Sequence, residues 1–562
     1  MVKMAKFVLV ADSTLIYTYH DFPLLDFLPS APKKTIPSGI YNFLKGDHPK
    51  YMDDGELLVA PYSIRKLEAK LLEKYPRKDV AVTDGNNAAK FIDDNTEVIG
   101  VSTMDPFGIG PLTMSYAVLF GGDFYAWVRR DFEILIDTLN RARKGKKAKL
   151  VVGGPGVWDF TVLKDEFEKM NIDYAVQGET DDVLIDLFEQ LSTGQIDKSM
   201  FNTGYLTFDD KFQMSSVSDE RFISRKSYGQ YPKLDKISPI VRPSIKGMVE
   251  IMRGCGIGCD FCEVTLRPLR YQPLDFIKKE IEVNIKSGTT NKAWLHSDEF
   301  FGYKHGKFFE PNQEALIELF TEIKHIPGVK YMNPTHGRIA IPAGFPDLIE
   351  KLSSIAQAGP NNWIGVQVGL ETGSEELAKR HMPAKTLPLK VGPDGSWHEI
   401  VWRGVQTFTK YYWRPAFTVQ VGQEGETDED NWETVALINK LSNSYVDGRP
   451  FEFTVTPMVN VPMGRIKSHS LNEQMLKPSM FAVYYASYRH LRKMALRDAR
   501  AESKGNLITR FGTTTAMDIG SGILLNYIGK LAKKAGVDLE KVNTYGLNGD
   551  KDRIIESVSQ IN

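Results

Sequence analysis

The sequence predicts an α/β protein made of two successive units of parallel strands and helices, followed by a mainly helical C-terminal stretch. Short aliphatic, β-branched runs recur along the chain, and segments with one-sided apolar spacing separate them. Near-continuous apolar strands alternating with amphipathic helices imply parallel sheets covered on both faces. Glycine-rich and polar motifs gather just after the predicted strands, at the carboxyl ends where ligands of such sheets sit.

The first unit is predicted to span residues 1–195. Its strands are Phe7–Val10, Asp79–Thr83, Glu97–Ser102, Lys149–Val152 and Asp173–Val176. Its helices are Ser63–Leu72, a long one within 124–143, Val162–Met170 and Asp181–Leu191. An insertion rich in Pro and aromatics (Phe22-Pro-Leu-Leu-Asp-Phe-Leu-Pro29) separates Asp12 from Ser63, as a cover over an entrance or as surface elaboration. Residues 196–246 read as a linker carrying a hairpin, Asn202–Met214, that turns at Asp209-Asp210.

The second unit, 247–460, has strands at Gly247–Met252, Lys292–His296, Lys330–His336, Trp363–Leu370, Ala416–Val421 and Phe451–Pro457. Helices at Pro273–Ser287, Pro311–Ile323 and Pro346–Ile355 continue the alternation, which suits a partial or full (β/α) barrel. The remainder, 461–562, reads as mainly helical. The aromatic stripe of Met480–His490 fits core packing or a cap over the barrel mouth.

Composition narrows the function classes. A net charge of −1 gives no reason to expect a nucleic-acid surface, and no run approaches the length of a membrane span. The N-terminal Met-Val-Lys-Met-Ala-Lys-Phe-Val-Leu-Val-Ala resembles a short signal segment only superficially and runs into Asp12, so a buried first strand is expected.

The chemistry concentrates in one loop. Cys255, Cys259 and Cys262 are the only cysteines, in Met252-Arg-Gly-Cys-Gly-Ile-Gly-Cys-Asp-Phe-Cys262. Each of three thiolates can ligate one iron of a cubane [4Fe-4S] cluster, which leaves the fourth iron open. A zinc site would want a fourth protein ligand, and paired C-x2-C knuckles are absent. Three structural thiols so close together on a Gly-rich loop would be a coincidence.

The spacing C-x3-C-x2-C, with Phe261 before the last cysteine, resembles the signature of the radical S-adenosylmethionine (SAM) enzymes. That resemblance implies that Cys255, Cys259 and Cys262 bind the cluster and that the open iron chelates SAM. Asp298-Glu299 stands where the family has its Gly-Gly-Glu segment for the methionine amino group, without the glycines. In Gly369-Leu-Glu-Thr-Gly-Ser374, Glu371 and Ser374 are the counterparts of groups that reach the ribose. Gly422-Gln-Glu-Gly-Glu-Thr427 resembles the turn that presents backbone to the adenine. Each motif alone has a blander reading as a capped helix after a strand. His336, also at a strand end, reads more readily as a satisfied structural histidine.

Upstream, three strand ends carry Ser102-Thr103, Gly153-Gly154-Pro-Gly156 and Gln177-Gly178-Glu-Thr180. As an ordered set before the cysteines they look like the cobalamin-binding domain of cobalamin-dependent radical SAM enzymes. One departure is that Asp12-Ser-Thr-Leu-Ile-Tyr17 lacks the histidine that ligates cobalt in the Asp-x-His-x-x-Gly loop. The resemblance therefore implies a doubly wound, Rossmann-like cobalamin domain, a radical SAM barrel and a helical C-terminal region.

The implied activity is methylation of an unactivated carbon through a 5′-deoxyadenosyl radical and methylcobalamin. The implied partners are an electron donor of flavodoxin or ferredoxin type and a peptide, protein side chain or small molecule as substrate, and the reducing cytoplasm is the expected compartment. The rival readings are radical cyclisation or rearrangement without methyl transfer, and an iron–sulfur redox or sensor protein.

Overall fold

In the computed structural model, residues 4–21, 23–122, 125–208, 213–225, 231–461, 476–502 and 507–547 are described. Five parallel strands open the chain: β1 (Phe7–Ala11), β2 (Val80–Asp84), β3 (Val98–Ser102), β4 (Lys149–Gly153) and β5 (Tyr174–Gln177). Their order, β2-β1-β3-β4-β5, is doubly wound, with its switch between β1 and β3. Alternation along β1 explains the two-sided burial. Val8 and Val10 join one core with Ile99 and Val152, while Phe7, Leu9 and Ala11 join another with Val98 and Val151.

The hairpin strands β6 (Phe201–Phe208) and β7 (Met214–Arg225) do not stand apart as a linker element. Strand β7 pairs in parallel with β5 through Phe222–Ser224, and β6 pairs antiparallel outside it, extending the sheet to seven strands. Buried Phe222 and Ile223 give β7 the apolar edge that makes this pairing favourable. The turn at Asp209-Asp210 lies outside the described residues.

The helices of this unit include α1 (Tyr62–Leu71), α2 (Pro111–Leu119), α3 (Trp127–Ala142) and α4 (Leu184–Thr193). The segment expected as one helix over Val162–Met170 is two short ones, Val157–Val162 and Lys164–Lys169. The insertion after β1 straps onto α3. Tyr41 stacks on Trp127 with ring centres 4.0 Å apart, and Lys45 Nζ lies 3.0 Å from Asp131. Phe22 itself lies outside the described residues.

The second unit has six parallel strands: β8 (Met248–Glu250), β9 (Lys292–His296), β10 (Tyr331–Pro334), β11 (Ile364–Glu371), β12 (Trp413–Val421) and β13 (Thr454–Val459). They form two three-stranded sheets joined by a parallel bridge between His336 and Gln367, giving an open, partial barrel. Helices α5 (Leu274–Lys286), α6 (Gln313–Lys324), α7 (Pro346–Ala356), α8 (Glu375–His381), α9 (Trp397–Lys410) and α10 (Asp428–Ser442) cover it. Two helices, α8 and α9, lie between β11 and β12, and a Ser396–Glu399 capping box opens the second.

The open edge at β13 is closed by both other parts of the chain. Ser115 of α2 accepts the Val459 N–H at 2.8 Å, and Val118 and Leu119 join the barrel core. Helix α11 (Pro478–Glu502) also packs on β13, and helix α12 (Leu507–Lys534) follows it. Met480, Val483 and Tyr484 are buried there, so the aromatic stripe is core. No helix among the described residues is long and apolar enough to cross a membrane.

Candidate functional site

The cysteine loop leaves the carboxyl end of β8 and returns through Arg270-Tyr271, which pairs antiparallel with Met252-Arg253. Gly254 has φ +81°, and a Cβ there would meet the Pro268 carbonyl at 2.5 Å, so only glycine fits this turn. Its N–H donates to Asp298 Oδ2 at 2.8 Å, which fixes the loop's start to the end of β9. At the loop's far side His381 lies 2.8 Å from both Asp260 Oδ2 and the Glu424 carbonyl, tying α8 to the loop and to the β12 turn.

Burial pushes the Cys255 and Cys259 thiols up to about 12 and raises Cys262 as well. Thiols held up in this way would ionise on coordinating a metal, which deprotonates a bound thiol outright, rather than in advance of it. The described residues hold no cluster of three His, Cys, Asp or Glu side chains set around a single metal ion. A cubane requires none, because each thiolate ligates a different iron and the sulfurs need not converge on one point. In that respect the three-thiol loop fits a cubane better than a zinc ion.

Lys385, missed from the sequence, is the cation of this site. Burial pulls its pKa down, but Cys259, Glu371, Cys255 and Cys262 outweigh that and hold it above the usual lysine value. Lys385 Nζ lies 3.6 Å from Glu371 Oε1, and Gln420 Nε2 donates to Glu371 Oε2 at 2.8 Å. Glu371 owes its inward aim to a register shift at the end of β11 and to a left-handed φ of +63°. A Cβ on Gly369 would meet Glu371 Oε1 at 2.1 Å and Lys385 Nζ at 2.6 Å, so a side chain there would push the ends of this pair aside. The only sequence signal for Lys385 was its position after the β11 helix.

The other expected residues are more engaged. Glu299 is buried, its Oε2 3.1 Å from Arg338 Nε, and it accepts the Phe301 and Arg338 N–H groups. The Ser374 hydroxyl caps α8 and donates to Asp430 at 2.5 Å. Gly422 has φ +84°, and its N–H donates to the Glu426 carboxylate at 2.8 Å. His336 is half-buried with Nδ1 3.0 Å from the Ser297 carbonyl. Burial and His296 hold its pKa below the usual value.

At the carboxyl ends of the N-terminal strands, Ser102, Thr103, Gly153, Gly154, Gln177 and Gly178 come together as adjacent strand ends. Their polar side chains already have protein partners. Ser102 Oγ lies 3.0 Å from Ser63 Oγ, Thr103 Oγ1 donates to the Gly153 carbonyl, and the Gln177 amide grips both backbone groups of Leu206. Gly154 is needed by the protein itself, since a Cβ would meet the Thr103 carbonyl at 2.6 Å. Gly153 and Gly178 have open space beside them, although Gly178 at φ +97° still needs glycine for its backbone. A Cβ on Gly153 would meet nothing closer than 4.0 Å, and one on Gly178 nothing within 4 Å. Their backbone is the part of this edge that a large flat ligand can approach, so the cradle fits such a ligand.

The two ends face each other. Glu179 and Asp181, just beyond β5, accept hydrogen bonds from Arg253 at 2.6 and 2.8 Å, and Glu179 also takes Arg270 at 2.7 Å.

Comparison with known proteins agrees with this geometry. Residues 249–438 match the Radical SAM superfamily model. The chain is similar to the solved structure of TsrM, a radical SAM methyltransferase from Kitasatospora setae with cobalamin and a [4Fe-4S] cluster bound. The TM-score is 0.50 at 16% identity, over 82% of this chain and 77% of that one. A second TsrM structure, with tryptophan substrate and a SAM analog bound, gives 0.50 at 14% identity over 82% and 75%. The cobalamin-dependent SAM radical enzyme OxsB, in an apo structure, gives 0.50 at 12% identity over 93% and 72%. No curated protein sequence matches the chain. The segment carrying the three cysteines, within residues 249–438, is a radical SAM domain. The chain's fold, a doubly wound sheet ahead of an open barrel, is that of the cobalamin-dependent radical SAM enzymes.

Proposed function

We propose that this protein is a cobalamin-dependent radical SAM methyltransferase that methylates an unactivated carbon. The observation that most supports the reading is the placement of the glycine-edged end of the N-terminal sheet against the cysteine loop, joined by Glu179 and Arg253. When bound, the cluster and SAM supply a carbon-centred radical, and methylcobalamin supplies the methyl group. The chain's own task is holding and shielding. Cys255, Cys259 and Cys262 hold the cluster, Lys385 offers an ammonium to a carboxylate at the open iron, and Asp298 keeps the loop in place. Glu371, fixed by Gln420, offers a carboxylate oxygen to a ribose hydroxyl, and the Gly422 turn offers backbone to the adenine. Gly153 and Gly178 give cobalamin its approach, and the Asp12–Tyr17 segment directly after β1 holds no histidine to ligate cobalt.

No general base is required for attack at a saturated carbon, in keeping with a strand-end set whose carboxylates are already paired. A flavodoxin- or ferredoxin-type donor would supply electrons, and the reducing cytoplasm would suit the free thiols. The substrate, a peptide or small molecule, would be held where the barrel mouth meets the sheet edge. The deciding experiment incubates the anaerobically reconstituted enzyme with SAM, reductant, cobalamin and candidate substrates. A product heavier by one methylene, with 5′-deoxyadenosine and S-adenosylhomocysteine formed together, supports the proposal. A product lighter by two hydrogens, with no homocysteine co-product, would replace it with radical cyclisation. Absence of deoxyadenosine under all conditions would leave a redox protein.

A further inference from the structure

The cysteine loop is collared at its base by two like charges. Arg253 and Arg270 lie directly opposite each other in the two-residue antiparallel ladder that closes the loop. Like charges in that position repel, and both side chains are largely withdrawn from water. The compensation comes from the other half of the chain. Glu179 bridges the pair, accepting Arg253 Nη1 at 2.6 Å and both terminal nitrogens of Arg270 at 2.9 and 2.7 Å. Asp181 takes Arg253 in a forked pair at 2.8 and 3.0 Å, while Glu250 of β8 holds Arg253 Nε from below. Burial alone would lower the Arg253 pKa, but Glu250, Asp181 and Glu179 together drive it far above the usual value.

The β5 loop that supplies these carboxylates is itself fixed. Gln177 is locked to the Leu206 backbone, and Asp182 forms a forked pair with Arg225 at 2.7 and 2.9 Å. Between those anchors Gly178 is the residue left facing open space. One short loop thus carries a free ligand-facing backbone and, one residue later, the bridge to a strand that reaches Cys255 in two further residues.

We propose that Glu179 and Asp181 are positioning residues that set the cysteine loop, and with it the cluster, at a fixed separation from the ligand on the N-terminal sheet. The inference rests on the cobalamin reading above. Overall docking of the two units does not depend on these residues, because buried Tyr62 and Lys66 of α1 bond Glu280 of α5 at 2.6 and 3.0 Å. Neutralising the loop carboxylates therefore loosens the cysteine loop while leaving the domains together.

The test compares full-length parent, E179Q/D181N and the conservative E179D after anaerobic loading with iron, sulfide and cobalamin. Iron and cobalamin content are measured first, followed by the magnetic interaction between cob(II)alamin and the reduced cluster by electron paramagnetic resonance. The expected result is parental iron and cobalamin content in all three, an interaction at least halved in E179Q/D181N, and a near-parental interaction in E179D. An unchanged interaction in E179Q/D181N would overturn the proposal. Loss of iron from the double variant would also overturn it, assigning the pair to folding of the loop. A parent that binds iron but no cobalamin would instead sink the functional reading, and this inference with it.

Discussion

Lys385 Nζ stands 3.6 Å from Glu371 Oε1, with both side chains about nine-tenths buried beside the three cysteines. The pair is drawn from the turn that follows α8 and from the last residue of β11, so one βα unit supplies both charges. A buried ion pair is weak evidence for stability, since desolvation consumes most of its attraction. Its value lies in presenting a cation and an anion side by side to a zwitterionic ligand. Replacing Glu371 by Gln should lower SAM affinity by about 10- to 150-fold, the ~1.5–3 kcal/mol of a charge-assisted hydrogen bond. Equilibrium dialysis of labelled SAM against reconstituted enzyme checks this. Unchanged affinity would remove Glu371 from the binding set.

Each cysteine should be indispensable. Changing Cys255, Cys259 or Cys262 to Ala leaves two thiolates, too few to hold an open cubane. Iron loading, the broad absorption near ~400 nm of such clusters and 5′-deoxyadenosine formation should vanish together. A single variant that keeps its iron and cleaves SAM at the parental rate would contradict the assignment.

The sheet-end glycines separate folding from ligand approach. Gly153→Leu projects its side chain into free space and should cost little stability, yet it should cut cobalamin binding at least tenfold while iron loading persists. Gly154→Ala places a Cβ 2.6 Å from the Thr103 carbonyl at φ +93° and should lower the melting temperature instead. Retained cobalamin binding in Gly153→Leu would move the ligand away from this edge. Cob(II)alamin on the parent should show no nitrogen superhyperfine splitting, because the Asp12–Tyr17 segment directly after β1 carries no histidine.

The strands were legible because their apolar runs are buried on both faces, as Phe7–Ala11 and Val98–Ser102 are. Motif residues at their ends were legible because tight turns there demand particular chemistry, as at Gly254. Helix α2 was not, since Pro111–Leu119 is apolar nearly all round. It packs against the barrel edge at β13, the Pro23–Ser30 segment of the insertion and α12, where Tyr527 reaches the Leu119 carbonyl. The hairpin was read as a linker because its pairing with β5 is a long-range event that local pattern does not encode. Lys385 and the Glu179–Arg253 link escaped for the same reason. Each is an ordinary charged residue whose meaning comes from a partner far away in the chain. Conversely, Glu299, Ser374 and Gln177 carry the expected identities but spend their polar atoms on Arg338, Asp430 and Leu206.

Two buried titratable groups outside the site should shape acid stability in opposite directions. His490 stacks on Phe453 with ring centres 3.9 Å apart, and its Nε2 donates to the Phe453 carbonyl at 2.9 Å. Burial drives its pKa down to about 3. Between that value and the unfolded ~6.5, only the unfolded chain takes up the proton, so stability falls as pH drops through this window. Asp12 is held up to about 6, chiefly by burial, against the opposing Thr14 N–H. Below that value the folded chain takes up the proton before the unfolded chain does, so acidification toward ~4 favours folding. His490→Gln should therefore flatten the loss of stability between pH 7 and 5 by up to about 2 kcal/mol, at ~1.4 kcal/mol per pH unit. Asp12→Asn should steepen that loss between pH 6 and 5. Urea unfolding of the metal-free chain at half-unit pH steps reads both slopes, and variants that track the parent in parallel would show that neither group titrates as its burial dictates.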